Sequence, residues 1–487
     1  MQKLLNGRNA AYIVGALIAW RLYLSASLQL HPDEAYYWLW SRNLDIGYFD
    51  HPPLVAYCIW LTTLFSKSEL WVRLSGTLVS LVLSLLIWRL ALQMFKNIQV
   101  AAGSVILFNV LPLTSMGLVV MTPDTPVLLF WSLGLYLFWQ TLNSEKHWLW
   151  YVVGVAFGMA LLSKYTAILM LPCLLLYLLL SQDRRWLKTT YPYKAVLVGF
   201  LCFLPVVYWN SQHDWVSFEF QLKNGLNSEG YSLAKVGEYI GGQMLVAGPI
   251  VWLLGIWAAA VGLYRRDKAS LLLVCAAIPV IAFFAFSSLK KPAGPNWPAF
   301  AYVSLSILAT KYCLDSGASN TRRWLWSAAV ASSLLMSAIT TLHARFNVIP
   351  LDRYSQQLAV ADATNYFYGW KELGAELTKY PAKGFAVTPS HQLSAEIIYY
   401  TNAHVLANTA RSARPSQFNL WNWSKDLPRK EGLYVWTDSD FIGHNGDYFA
   451  SPMRSDLVNI VRDGNIVRKL HLTSGQRNSL AHPFSVN

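Results

Sequence analysis

Charge is what this sequence has least of. Only 13% of its 487 residues are Asp, Glu, Lys or Arg, roughly half the share of a soluble domain. That shortage excludes an ordinary water-soluble core wrapped in a charged surface. Cysteine is scarce as well: Cys58, Cys173, Cys202, Cys275 and Cys313 all lie in apolar stretches, with no CxxC or Cys/His spacing. The pattern excludes a disulfide framework or a zinc site and reads as buried small hydrophobes. Polar low-complexity tracts and short-period repeats are missing too. What fills the space is apolar: 54% hydrophobic residues with 22 tryptophans, at a mean hydropathy of +0.32.

Repeated apolar runs near twenty residues long point to a polytopic, mainly α membrane protein. About eleven spans are expected, at 10–29, 70–93, 99–119, 124–142, 148–162, 165–181, 194–210, 239–263, 269–289, 298–313 and 324–343. Leu54–Phe65 is apolar but too short to cross, and reads as an interfacial helix. The first run is taken as a span rather than a signal peptide cut near Ser25-Ala26-Ser27. The net charge of +13 does not indicate nucleic acid, because the basic residues fall in short clusters between apolar runs. Lys3 and Arg8 put the N-terminus in the cytoplasm. Lys96, Lys146, Arg184–Arg185–Lys188, Arg265–Arg266–Lys268, Lys311 and Arg322–Arg323 then all fall on the same side.

On this topology residues 1–343 form a transmembrane domain, with an acidic outer loop at 31–66. Residues 344–487 form a small extracytoplasmic α/β domain. There "KGFAVTPS", "HVLANT", "EGLYVWTD" and "LVNIVRDGNIVRKLHL" read as strands and "SAEIIYY" as a helix. A lid or packing module without chemistry of its own is one reading of that domain. Acceptor binding is the other, from "ARSARPSQFNLWNW", where Arg411 and Arg414 precede Phe418, Trp421 and Trp423. Arginines beside aromatics hold glycans or anionic head groups.

Several polar residues then stand out of place at the outer edge. Asp33 and Glu34 follow the first span in "HPDEAYYW", where His31-Pro32 interrupts helix and the acids open the next one. An isolated Pro-Asp-Glu reads as a cap, Asp33 at the N-cap and Glu34 in the first turn. Here Asp50-His51 recurs in the same loop, and Asp124 sits in "MTPDTP" at another outer edge. Three acidic positions on one face indicate a site, and their crowding would favour proton acceptance. Lys290 and Lys291, on the side where few cations belong, complement them. Lys164 in "LLSKYTAILM" does so too, as does Arg73 in "ELWVRLSG", for which a snorkelling anchor is the alternative. Tyr36, Trp38, Trp40 and Tyr48 suit stacking on sugar faces or an interfacial aromatic belt. Asp50 and His51 could bind a divalent metal, although no ligand cluster of diagnostic spacing is present.

"HPDEAYYW", "YFDHPPL", "MTPDTPVLLFW", "LSKYTAILMLP", "PVVYWNSQHDWVSFEFQL" and "KKPAGPNWPAFAY" resemble the membrane glycosyltransferases of the GT-C superfamily. The resemblance is to the family 39/83 type, with its protein O-mannosyltransferases and lipid A aminoarabinose transferases, and covers residues 10–310. It implies a GT-C fold in a bacterial inner membrane and a sugar donor on a polyisoprenyl phosphate. It also implies an outer-side site, inversion at the anomeric carbon, and Asp33 as base; Glu34 beside it is the second catalytic candidate. Asp50, His51, Arg73, Asp124, Lys164, Lys290, Lys291 and Asn296 are the candidates for donor phosphate and sugar. Arg414 and Trp421 are the candidates for a lipid, glycan or protein acceptor. The chain departs from the aminoarabinose branch at Asp50-His51, where that branch has an acid followed by lysine.

The chemistry fits the residues. A polyisoprenyl phosphate is already a good leaving group, so fixed cations must neutralise its growing charge and a carboxylate must take the acceptor proton. A transporter or flippase of a lipid-linked sugar is the alternative, but it would need a polar path through the bilayer. A phosphotransferase or hydrolase using His31 or His51 lacks the Ser or Cys partner spacing of a nucleophile.

Overall fold

A computed structural model describes residues 5–226, 230–379, 385–403, 405–409, 413–421, 431–437 and 449–477. The described chain is mainly helical and splits into two compact units. One comprises Met1–Ser25, Asp45–Ser66 and Arg73–Thr341; the other Ala26–Leu44, Lys67–Val72 and Leu342–Asn487. The first half of the acidic loop thus groups with the C-terminal residues and its second half with the membrane helices.

Among the described residues six helices are long and apolar enough to cross a bilayer: Gly7–Ser27, Glu69–Phe95, Asp124–Leu142, Tyr191–Gln212, Lys268–Ser288 and Asn320–Phe346. Two bent pairs raise the number to eight. Tyr165–Leu180 turns by 115° into Gln182–Lys188, and Leu233–Ala247 by 105° into Pro249–Arg265. The second bend has an evident cause, since Gly248 adopts φ 88° and Pro249 follows without an amide N–H. The other three of the eleven expected spans, 99–119, 148–162 and 298–313, fall on Ile98–Asn109, Leu149–Ser163 and Ala301–Leu314, shorter than the ~20 residues a span needs. The run expected over 99–119 is divided at Pro112, which opens a separate short helix, Pro112–Gly117. The loop helix is Leu54–Thr62.

Helix contacts in the first unit rely on small residues. A Cβ on Gly154 would stand 2.3 Å from the Ala195 carbonyl oxygen, and one on Gly158 would stand 2.5 Å from Cys202 Cβ. Leu149–Ser163 and Tyr191–Gln212 therefore pack backbone to backbone, as helices in lipid do. Deeper in, Arg21 is fully buried and donates to Ser80 Oγ at 2.5 Å, Asn109 Oδ1 at 2.8 Å and the Asn109 carbonyl at 2.9 Å. The five cysteines are unbridged.

The second unit is built on a five-stranded sheet among the described residues, ordered β2-β1-β3-β5-β4. Its strands are β1 (Phe385–Thr388), β2 (Leu406–Thr409), β3 (Glu431–Thr437), β4 (Phe449–Arg462) and β5 (Asn465–Arg477). β2, β1 and β3 run parallel, while β5 is antiparallel to both β3 and β4. Asp463 (φ 49°) and Gly464 (φ 85°) turn β4 into β5, the Asp-Gly signature of a tight hairpin. The helix His391–Tyr400 joins β1 to β2 and packs on Pro32–Arg42. Gln29 Oε1 accepts the free N–H groups of Trp370 at 2.6 Å and Lys371 at 3.0 Å, capping the helix that begins there. The Leu30 N–H donates to Tyr400 Oη, and the Gln417 N–H to Tyr36 Oη, both at 2.7 Å.

Candidate active site

The acidic pair takes its geometry from Pro32. A residue before proline is driven out of the helical region, and His31 is extended at φ −73°, ψ 143°, with Pro32 opening the helix Pro32–Arg42. His31, and not Asp33, is therefore the N-cap. Its Nδ1 accepts the Asp33 N–H at 3.2 Å. Glu34 Oε2 accepts the His31 N–H at 2.9 Å and closes a capping box. Glu34 is thereby wholly buried. Asp33 Oδ2 is 3.8 Å from His31 Nδ1, but that nitrogen spends its lone pair on the cap.

Asp33 is left outward, its side chain 39% exposed, with Oδ1 accepting from Gln392 Nε2 at 3.2 Å. Gln392 stands in the first turn of His391–Tyr400. Next to it His391 is buried 4.5 Å from the Tyr36 ring. Burial, with the Arg414 guanidinium nearby, pushes the His391 imidazole down to about 3. Arg414 is exposed and Trp421 half-buried. Trp421 meets Phe418 edge-on at 5.4 Å, and Phe418 in turn stacks on Tyr36 at 6.0 Å. Arg411 and Trp423 lie outside the described residues. Tyr36, Trp38, Trp40 and Tyr48 are all buried. Their rings are packing elements, which overturns the expectation that they present open faces to a sugar.

In the first unit, Asp124, Lys164 and Asn296 come together. Lys164 Nζ donates to Asp124 Oδ1 at 2.6 Å and Asn296 Nδ2 to Asp124 Oδ2 at 2.7 Å. Asp124 opens one helix and Lys164 ends the next, so the hairpin between them fixes the pair. Asp50 is buried, and its carbonyl accepts from Gln221 Nε2 at 2.5 Å; His51 beside it is half-buried. Upstream, Trp209 Nε1 donates to Asp45 Oδ2 at 2.9 Å. The Trp209 ring lies where a Cβ on Gly47 would be only 2.7 Å from it, so that contact requires glycine. Burial pushes the nearby Tyr48 phenol well above its usual range.

Arg73 is fully buried and donates to the Ser25 carbonyl at 3.3 Å, unlike a snorkelling anchor, whose head would reach water. Lys290 and Lys291 are half-buried. The Lys290 carbonyl accepts from Lys235 Nζ at 3.1 Å, which adds a third lysine to the pair. Among the described residues no group of three or more His, Cys, Asp or Glu side chains could hold a metal ion; Asp50 and His51 alone fall short of a ligand set. Gln392, Gln221, Trp209 and Lys235 were not legible as site neighbours. Each meets its partner across a long stretch of chain; Trp209 and Gln221 lie within the quoted motif "PVVYWNSQHDWVSFEFQL", but that motif does not name their partners.

These features, an apolar helical unit, a buried Asp–Lys–Asn cluster and an outward carboxylate behind a capping box, can be set beside known proteins. Residues 50–209 match the family model described as dolichyl-phosphate-mannose-protein mannosyltransferase. The lipid A galacturonosyltransferase RgtD of Rhizobium johnstonii is 29% identical over 63% of this chain and 65% of its own length. Undecaprenyl phosphate-alpha-4-amino-4-deoxy-L-arabinose arabinosyl transferase 2 of Proteus mirabilis is 25% identical over 60% of this chain and 57% of its own. The chain thus spans less than two thirds of the length of these curated relatives. The crystal structure of ArnT from Cupriavidus metallidurans bound to undecaprenyl phosphate superposes with a TM-score of 0.64 at 14% identity, over 98% of this chain and 99% of that one. The resemblance to the GT-C superfamily of membrane glycosyltransferases therefore holds in sequence and in fold.

Proposed function

We propose that this chain is an inverting glycosyltransferase of the bacterial inner membrane. It moves a sugar from a polyisoprenyl phosphate of the undecaprenyl type to a lipopolysaccharide-type acceptor at the outer face. The observation that carries the reading is the division of labour in "HPDE": Glu34 closes the capping box, while Asp33 faces outward. Asp33 takes the acceptor hydroxyl proton as that oxygen attacks the anomeric carbon, and the bond from that carbon to the phosphate oxygen breaks. Lys290 and Lys291 receive the charge growing on the departing phosphate. Arg73, Asp50 and His51 shape the donor site around the Asp124–Lys164–Asn296 cluster, and Arg414 and Trp421 meet the acceptor. Two features support the acceptor class: the named relatives RgtD and RgtA, a lipopolysaccharide core galacturonosyltransferase.

The same reading has a cytoplasmic N-terminus, with the acidic loop and residues 344–487 in the periplasm. The deciding experiment is transfer of labelled sugar from a polyprenyl-phosphate donor to lipid A in proteoliposomes. Transfer that Asp33→Asn abolishes is expected; lipid-linked sugar crossing the bilayer without transfer would make the protein a flippase. An alkaline phosphatase fusion past Asn487 should be active, and an inactive one overturns the topology.

A further inference from the structure

Asp33 is held from the C-terminal part of the chain. The carboxylate can only accept, so the Gln392 amide must face it with Nε2, as the 3.2 Å contact to Oδ1 has it. Gln392 follows β1 by four residues, at the first turn of the helix that leaves this strand. β1 lies between β2 and β3, parallel to both. The chain leaves β1 toward one neighbour and returns on its other side, so this is where the connections diverge. Parallel sheets present functional side chains at the carboxyl ends of such strands.

The helix start that carries Gln392 is itself fixed. Ser390 Oγ accepts the Leu393 N–H at 3.2 Å, and Thr388 Oγ1 donates to the Ser390 carbonyl at 2.7 Å. On the other side, the His31–Glu34 box fixes the backbone of Asp33. One carboxylate oxygen is therefore tied by a rigidly mounted amide, while Oδ2 lies 3.8 Å from His31 Nδ1 on a side chain that is 39% exposed.

We infer that Gln392 is a positioning residue for Asp33, orienting its carboxylate so that Oδ2 meets the acceptor hydroxyl. The C-terminal residues then belong to the transfer step itself and not only to acceptor choice. The inference rests on Asp33 acting as base in the proposed reaction.

The test measures kcat and both KM values in proteoliposomes for Gln392→Met, which keeps the shape without the donor, and for Gln392→Glu and Gln392→His. Gln392→Met should lower kcat about 10- to 100-fold, the scale of one hydrogen bond to a charged group, with both KM values unchanged. Gln392→Glu, facing Asp33 with a like charge, should lose more, and Gln392→His, which keeps an N–H, should recover part. Wild-type kcat in folded Gln392→Met overturns the inference, as does a loss confined to the acceptor KM. Should Gln392→Met fail to insert, equal kcat in Gln392→His and Gln392→Glu overturns it instead. Asp33→Asn run alongside separates the two levels. If it turns over normally, the base assignment itself fails; if it is inactive while Gln392→Met is normal, only the positioning role fails.

Discussion

Asp124 and Lys164 meet at 2.6 Å with side chains only 13% and 9% exposed, and Asn296 takes the other oxygen of the same carboxylate. Removing one partner of a buried pair leaves an uncompensated charge and costs about 3–5 kcal/mol. Lys164→Met should therefore lower the melting temperature sharply in detergent. Adding Asp124→Asn should restore most of the loss, because the buried charge is gone. If the pair also serves the donor, the restored double variant remains poor in sugar transfer. A double variant with wild-type transfer makes the cluster purely structural.

His31 and Glu34 predict a second contrast. Glutamine closes a capping box as glutamate does, so Glu34→Gln should keep both fold and transfer. Glu34→Ala should lose about 1 kcal/mol of stability with the cap. Asp33→Asn should melt like the wild type and transfer at least ~100-fold more slowly, the scale of a lost general base. Were Glu34→Gln as inactive as Asp33→Asn, proton transfer would have to move to Glu34.

Lys290 and Lys291 should report on the donor. With both changed to Gln, KM for the polyprenyl-phosphate sugar should rise by tenfold or so, as expected for lost charge-assisted contacts to phosphate, and KM for the acceptor should hold. Unchanged donor KM combined with altered membrane orientation would make the lysines topological anchors.

How much of this was legible in the sequence follows from the range of the interactions. Apolar runs announce helices because burial in lipid needs length and little else, and each of the eleven expected segments carries an apolar helix or bent pair. Their breaks were less visible. Gly248-Pro249 and Pro112 interrupt runs that hydropathy alone reads as continuous. The HPDE signature pointed to a helix start, but proline's effect on the residue before it moves the cap from Asp33 to His31. The Asp33–Gln392 bond joins residues 359 apart and is invisible to any local pattern. Aromatic residues misled for a related reason: composition gives Tyr36 and Trp40 in a loop, and only packing shows their faces covered.

His391 yields a prediction about pH. An unfolded histidine titrates near 6.5, whereas the folded imidazole, buried and close to Arg414, is held at about 3. Between those values the unfolded chain binds a proton that the folded chain refuses, so folding weakens as pH falls. Above pH 6.5 the group is neutral in both states and contributes no slope. Below it, the stability of the unit that contains His391 should drop by up to about 1.4 kcal/mol per pH unit. His391→Phe keeps a ring in the place that faces Tyr36 at 4.5 Å and removes the proton site. Melting temperatures between pH 4 and pH 8 should then show a shallower acid decline in the variant, with the two curves parallel above pH 6.5. Equal acid slopes would mean that His391 takes up its proton in the folded state as readily as in the unfolded one, and that its burial beside Arg414 is not maintained in solution.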